Sequence, residues 1–325
     1  MAEAIIESMP LSRQVRTNPA AKNADAAARV AITAVAVFAL AIIFLILIFI
    51  FKEAKDVFFD AKKRDQVLPT LFMMPANENQ AVWTPISKNP KYSLMPMLLG
   101  TLKTTLVAMF IAIPISVLAA IYTACFAPRW VREIVKPAIE LLAGFPSVVL
   151  GFFALIAIAG FMQRLTGADY RLNAIVGGIA VSLTAIPIIF TIAEDALSAV
   201  PKAMQEASYG LGATEWETAF YIVLPAAYPG IFAGILLGLG RAFGETLIVL
   251  LAAGNALIVS WDFLVPTKTL TATIGAEMGE VVYGDTHYNV LFLIGVFLFV
   301  FSVIINSIAE FYVKGRLMKK FSGAA

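Results

Sequence analysis

The sequence predicts an all-α membrane protein, a polytopic bundle of six transmembrane helices. Three observations predict it. The 325-residue chain is 60% hydrophobic and only 14% charged, with a mean hydropathy of +0.85, whereas soluble domains carry about 25% charged residues. Six apolar runs are long enough to cross the roughly 30 Å hydrocarbon layer of a bilayer. Three of those runs carry a proline well inside them, which lipid tolerates only where neighbouring helices or water satisfy the freed carbonyls. The spans are therefore expected to pack together as a bundle with irregular interior segments.

The same composition excludes several function classes. A single cysteine, Cys125, and a single histidine, His287, allow no disulfide framework, thiolate centre or His-based metal site. Both are read as structural or incidental. No GxxxxGK[ST] loop is present, so if ATP takes part another chain binds it. The net charge of +2 decides nothing, and no nucleic-acid partner is expected.

In chain order, residues 1–29 form a polar, Ala-rich tail with Arg13, Arg16, Lys22 and Arg29. The first span is 30–51, whose 22 residues cover about 33 Å as a helix. A cleaved signal peptide has a shorter apolar core, so this span is expected to be retained. Residues 52–94 are expected as an extracytoplasmic loop, with helical spacing in Lys52–Asp65. They are read either as a solvated connection or as a docking surface for an external partner. The core domain is 95–313. Its spans are expected at 95–126 with Pro114 inside, 137–162 with Pro146 inside, 172–193 with Pro187 inside, 226–253 and 288–312. A tail, 314–325, follows.

Lys and Arg counts set the orientation. Twelve fall on one side when both tails are cytoplasmic, and ten on the other, seven of those in the 52–94 loop. Both tails and the later loops agree with cytoplasmic termini. No internal repeat is visible, which counts against a secondary transporter built from inverted repeats.

The loop 194–225 carries the densest local signals. Pro201 suits a helix first turn, which predicts a short helix over 201–209. Gly210 and Gly212 then interrupt it. Thr214 and Glu217 have capping-box spacing and start a second helix with Glu215 and Glu217 in its first turn. Pro225 is expected to open the fifth span. The predicted result is a helical hairpin joined to a membrane helix; the plainer reading is an amphipathic hairpin that caps the bundle.

The fifth span repeats glycine at Gly230, Gly234 and Gly238, a spacing that lets membrane helices approach closely. Arg241 and Glu245 lie i, i+4 in the same span. Buried charges in a span face a partner or a cavity. Two readings stay open: a mutual ion pair that assembles the bundle, or an anion contact in a path. Arg favours phosphate-type oxyanions because its planar fork donates two parallel hydrogen bonds. Ser147 after Pro146 and Thr184 near Pro187 are further candidates for the path, against the plainer reading that each bonds its own helix backbone. Lys103 is expected as a snorkelling anchor, Glu277 and Glu280 as facing solvent or a loop partner, and Trp130 and Trp216 as interfacial residues.

The segment Glu206–Pro225 resembles the EAA-x3-G-x9-I-x-LP signature of ABC importer permeases. Glu206, Ala207 and Ser208 stand for its first letters, with Ser208 replacing the second alanine. Gly212, Ile222, Leu224 and Pro225 fall at the required spacings. The resemblance implies the type I ABC importer permease fold and a cytoplasmic coupling helix seated on an ATP-binding subunit. Gly238–Thr246 (GLGRAFGET), Ile139–Phe153 and Thr271–Tyr288 resemble segments of phosphate importer permeases of the C-type. That resemblance implies a bacterial inner-membrane subunit importing inorganic phosphate as a heterodimer with an A-type permease. Two ATPase subunits holding ATP and Mg, an extracytoplasmic phosphate-binding protein and surrounding membrane lipid would complete the assembly. Alternatives are import of sulfate, molybdate or tungstate, a component that signals phosphate status, and a channel or secondary transporter that needs no ATPase.

Overall fold

A computed structural model describes residues 19–75 and 82–312. The tail cations Arg13, Arg16, Lys314, Arg316, Lys319 and Lys320 lie outside the described residues. The chain divides into two units, residues 19–52 and the residues from Glu53 onward. The first unit belongs to a single helix, α1 (Pro19–Phe59), which extends the expected 30–51 span at both ends. Apolar side chains are exposed around it, Val30, Phe38, Phe44 and Ile48 among them. A helix apolar on every face suits lipid as its solvent.

The second unit contains all the remaining elements. They are α2 (Ala61–Val67), α3 (Met95–Ile121), α4 (Arg129–Ala143), α5 (Ser147–Phe153), α6 (Ala159–Thr166) and α7 (Ala174–Ser198). Next come α8 (Lys202–Gly210), α9 (Glu215–Thr218), α10 (Leu224–Phe243), α11 (Leu247–Ala252), α12 (Leu270–Glu277) and α13 (Thr286–Tyr312). π-helical segments extend α3 over Tyr122–Phe126, join α5 to α6 over Ala154–Ile158, and join α9 to α10 over Ala219–Val223. Six helices among the described residues are long and apolar enough to span a membrane. No strand forms among them; two isolated bridges, such as Trp83 with Tyr92, are the only extended pairing.

The centre of the bundle is the contact of α3 with α7. Pro114 and Pro187 both lie inside these helices, as expected. The buried Ser116 hydroxyl donates to the Ile186 carbonyl beside Pro187, at 3.0 Å. Small residues let the two backbones close together: a Cβ on Gly178 would lie 2.5 Å from Val107 Cβ and 3.0 Å from the Thr104 carbonyl oxygen. The glycine stripe of α10 packs on the other side of α7. Added Cβ atoms at Gly230, Gly234 and Gly238 would meet Ala196, Ile192 and Ile189.

Four expectations are corrected. The third span does not run over 137–162. The chain forms α4, breaks at Gly144–Pro146, and spans from Ser147 to Thr166. Pro146 precedes this helix instead of lying inside it. The physical reason is that α4 is amphipathic and carries Arg132, Glu133, Lys136 and Glu140 on its polar face. Arg132 donates to the carbonyls of Thr123 and Ala124. Lys136 binds Glu194 at 2.7 Å and Asp195 at 2.9 Å, and these hydrogen bonds raise its pKa. Val135 and Ile139 pack inward, while Trp130, Ile134 and Leu141 are exposed.

The fifth span is not continuous over 226–253. It begins at Glu215 in the hairpin and ends at Phe243, and α11 follows after a break. The segment after Lys52 is not a solvated loop where it is described. Ala54, Val57, Val67, Leu71, Trp83 and Tyr92 are buried against Val290, Leu291, Leu293 and Ile294 of α13. Lys63 fastens it by donating to the Gly284 carbonyl and to Asn289. Finally, Lys103 does not snorkel. It is fully buried and its ammonium donates to the Asp262 carbonyl at 2.9 Å.

Gly178→Ala is expected to wedge α3 from α7 and to destabilise the bundle by about 1–3 kcal/mol, the usual cost of overpacking. Thermal unfolding in detergent measures it. Gly240→Ala, where an added Cβ meets nothing within 4 Å, is expected to leave the transition unmoved.

Candidate functional site

Two neighbourhoods hold most of the residues singled out by sequence: the hairpin at one end of the bundle, and the break after α10; Ser147 and Thr184 lie apart from both.

The hairpin forms as its turn chemistry dictates. α8 follows Pro201 and ends at Gly210. Gly212 has φ +86°, a left-handed conformation that side chains with a Cβ rarely adopt. Thr214 then caps α9: the Glu217 amide donates to its hydroxyl at 3.2 Å, and its own amide donates to the Glu217 carboxylate at 2.8 Å. Ser208 and Thr218, both buried, share a 2.9 Å hydrogen bond that ties the two limbs together. Thus the serine that departs from the signature makes the cross-hairpin link. Glu206 and Ala207 are exposed, and so is Leu211 at the tip, at 91%. Trp216 stacks on Phe220 with ring centroids 4.1 Å apart.

Pro225 does not open a new helix. α9, the π segment and α10 form one helix of 29 residues from Glu215 to Phe243. Pro225 sits in the first turn of α10. The wider π turn before it accommodates a residue that cannot donate. Ile222 and Leu224 are half-buried, Leu224 against the cluster that also holds Phe190, Leu197 and Val223. The hairpin and the membrane span are therefore a single rod.

At the other end of that rod, Arg241 occupies the last turn of α10, and Glu245 lies just beyond it, between α10 and α11. They do not share a continuous helical face, yet their side chains still meet: Arg241 Nη2 lies 3.6 Å from Glu245 Oε2. The guanidinium is 49% exposed and the carboxylate 3%. Glu245 Oε1 accepts from the Thr246 amide at 3.3 Å, while Oε2 is buried with no hydrogen-bond donor among the described residues. The Glu245 carbonyl accepts from the Thr271 hydroxyl at 2.7 Å. Thr271 belongs to α12, whose start is fixed by the Thr269 cap and by the Leu270 amide donating to Thr101.

Ser147 begins α5, and Thr184 lies inside α7 with its hydroxyl donating to the Val181 carbonyl at 2.8 Å. No hydrogen bond or ion pair among the described residues joins either to Arg241 or Glu245.

α12 ends in a cluster that sequence reasoning missed. The Lys268 ammonium binds one oxygen of Glu277. The Trp83 indole donates to the other at 3.2 Å, and His287 Nε2 lies 2.9 Å from it. Glu280, by contrast, is exposed. Burial pushes the Glu277 carboxyl up, but hydrogen bonds from His287 and Lys268, with their charge, outweigh it and hold the pKa below the ordinary value. The signal available in the sequence was only that Lys268, Glu277 and His287 recur at short spacing; Trp83 lies far away in the chain and nothing links it to them.

Residues 112–317 match the family described as the binding-protein-dependent transport system inner membrane component. The chain is 36% identical over 220 residues to the probable ABC transporter permease protein YqgH of Bacillus subtilis, covering 68% of this chain and 71% of that protein. It is 32% identical over 248 residues to the phosphate transport system permease protein PstC of Mesorhizobium japonicum, covering 70% and 75%. A solved bacterial ABC transporter involved in the import of the acidic polysaccharide alginate is similar in fold, with a TM-score of 0.57 over 86% of this chain and 94% of that one, at 13% identity.

The lowered Glu277 pKa has a definite sign. The carboxylate contributes stability that is present above its unfolded pKa and lost as pH falls through the folded one. Glu277→Gln is expected to destabilise the protein near pH 7 by an amount on the order of 1–3 kcal/mol, because Lys268 loses its buried partner. The gap between the two melting curves should then close as the pH is lowered. Melting temperature followed from neutral to acid pH checks both statements.

Proposed function

This chain belongs to the family of binding-protein-dependent transport system inner membrane components, and from that membership we propose that it is the C-type permease subunit of an ATP-driven importer of inorganic phosphate. It has the fold of ABC importer permeases and crosses the membrane several times. Such a permease works with ATP-hydrolysing and substrate-binding partners. In the proposed assembly these are an A-type permease, two ATP-binding cassette subunits that hold ATP and Mg, and an extracytoplasmic phosphate-binding protein. No catalytic or cofactor role falls to this chain. Both termini are cytoplasmic in this reading, which puts the hairpin on the cytoplasmic side.

The observation that carries the phosphate reading is the half-exposed Arg241 guanidinium at the break of the fifth span. A guanidinium stays charged at any physiological pH and offers a planar pair of N–H groups to an oxyanion. A conducted anion must bind well enough to enter and weakly enough to leave, and the neighbouring Glu245 moderates the attraction. The 32% identical relative named as a phosphate permease supports the same substrate. Ser147, at the start of α5, is a secondary candidate for the path; Thr184 is a weaker one because its hydroxyl is engaged within its own helix.

Glu206, Ala207, Ser208, Gly212, Ile222, Leu224 and Pro225 form the receiver. ATP-driven closure of the partners pushes the exposed tip around Leu211. The 29-residue rod from Glu215 to Phe243, about 43 Å long at the α-helical rise, carries that push to Arg241 as a rigid body. The binding protein delivers phosphate to the outward-facing pair, and the push shifts the population toward the inward-facing one.

Arg241→Ala is expected to abolish phosphate uptake in reconstituted vesicles while the complex still assembles on size exclusion. Normal uptake would remove the residue from the path. Competition by sulfate, molybdate or tungstate against labelled phosphate identifies the anion. Gly212→Val forces a β-branched residue into a left-handed conformation, a strain of about 1–3 kcal/mol. ATP hydrolysis is then expected to lose its coupling to uptake, or the ATPase to lose its seat. A variant whose ATP consumption per phosphate moved is unchanged would clear the hairpin of the transmission role.

A further inference from the structure

Glu245 carries an unexplained oxygen. Its carboxylate is 3% exposed, and among the described residues its Oε2 has no hydrogen-bond donor, the guanidinium of Arg241 lying 3.6 Å away. Native structures satisfy nearly all buried polar atoms, so an exception at a candidate site calls for a reason. Its backbone and its other oxygen are both engaged. Oε1 is held by the Thr246 amide, and the residue's carbonyl is held by Thr271 on α12. An acceptor is thus fixed at the break with one oxygen unmet, beneath a half-exposed donor.

We propose that Glu245 is a specificity-determining residue that selects oxyanions carrying a hydroxyl. This rests on the reading of Arg241 as the oxyanion contact. The chemistry is a matter of complementary donors. Near neutral pH inorganic phosphate keeps at least one P–OH, and arsenate keeps an As–OH; sulfate has neither. An anion that draws the Arg241 guanidinium outward takes its place against Oε2. Its deprotonated oxygens accept from the guanidinium, and its hydroxyl donates to Oε2. Sulfate can make only the first of these contacts and sets a lone pair against a buried carboxylate oxygen. Such rejection by an unmatched polar group is the strong form of discrimination, because the cost falls only on the wrong ligand.

The test is equilibrium binding of labelled phosphate to the assembled permease and ATPase complex in lipid nanodiscs. The binding protein is left out so that its own selectivity does not enter. Unlabelled phosphate, arsenate, sulfate and monofluorophosphate compete. Monofluorophosphate is the deciding probe, since it has the charge and shape of hydrogen phosphate with fluorine in place of the hydroxyl. In the unaltered complex, arsenate is expected within a few-fold of phosphate. Sulfate and monofluorophosphate are each expected at least tenfold weaker, a gap of about 1.4 kcal/mol or more. Glu245→Gln offers both a donor and an acceptor and is expected to bring sulfate and monofluorophosphate to within about threefold of phosphate, or about 0.6 kcal/mol. The proposal is overturned if monofluorophosphate competes as well as phosphate in the unaltered complex, a measurement that needs no variant to fold. It is also overturned if Glu245→Gln binds phosphate and keeps the gap. A complex that binds no phosphate overturns the proposal alone; loss of phosphate uptake by the complete system with its binding protein is what overturns the transport reading.

Discussion

An unwound residue within a membrane bundle is tolerable only where something nearby satisfies its backbone, and here the Thr271 hydroxyl does so for Glu245. Most of the candidate site depends on that bond. Without the break, Arg241 and Glu245 would lie on one helical surface and reach the same depth. With it, α10 ends at Phe243 and the carboxylate turns inward while the guanidinium remains half-exposed. The support is itself well anchored. α12 is capped by Thr269 at one end and bound through Glu277 to Lys268, Trp83 and His287 at the other. Eight residues therefore connect the Glu277 cluster to the charged break as a two-turn strut.

The opposite side of the break is governed by a rod. Because α9 runs through a π turn into α10, no flexible joint separates the hairpin from Arg241. The glycine stripe gives that rod a smooth track on α7, with close approaches at Ala196, Ile192 and Ile189. Anchoring differs at the two ends: the Ser208–Thr218 bond ties the hairpin limbs together, and the helix stops at the Gly244 break. Strut and rod thus converge on Glu245 from opposite ends of the bundle.

Much of this was legible in residues that carry their own local instruction. The capping box at Thr214, the turn at Gly212 and the stripe at Gly230, Gly234 and Gly238 act through the chain within a few residues of themselves, so sequence alone located them. Hydropathy likewise found six spans, because a span's apolar length is a local property. Features set by distant partners were illegible. Pro114, Pro146 and Pro187 look alike in sequence; only the third dimension shows that Pro146 starts a helix while the others lie within one. The polar residues of α4, Glu140 above all, marked the misplaced third span, but a hydropathy window averages them away. The triplet Gly244–Glu245–Thr246 was the available sign of the break. Burial of the segment after Lys52, and of Trp83 against Glu277, depends on contacts across roughly two hundred residues of chain, which no periodicity encodes.

The two readings of Arg241 and Glu245 can be weighed against ion pairs elsewhere in the same molecule. Lys136 and Glu194 form a plainly structural pair. Their separation is 2.7 Å, and Ser198 donates to the second Glu194 oxygen at 2.9 Å, so both carboxylate oxygens are satisfied. Glu277 is likewise met at both oxygens. These two carboxylates, which hold helices together, are saturated. Glu245 is as deeply buried as Glu194, yet Arg241 stands 3.6 Å off and half in the open, and among the described residues one of its oxygens has no hydrogen-bond donor. Leaving a buried charge under-satisfied is costly, and a pair selected only for assembly would have closed that gap. The contrast fits a pair held open for a third participant, and the oxyanion proposed above, which accepts from Arg241 and donates to Glu245, suits both members at once.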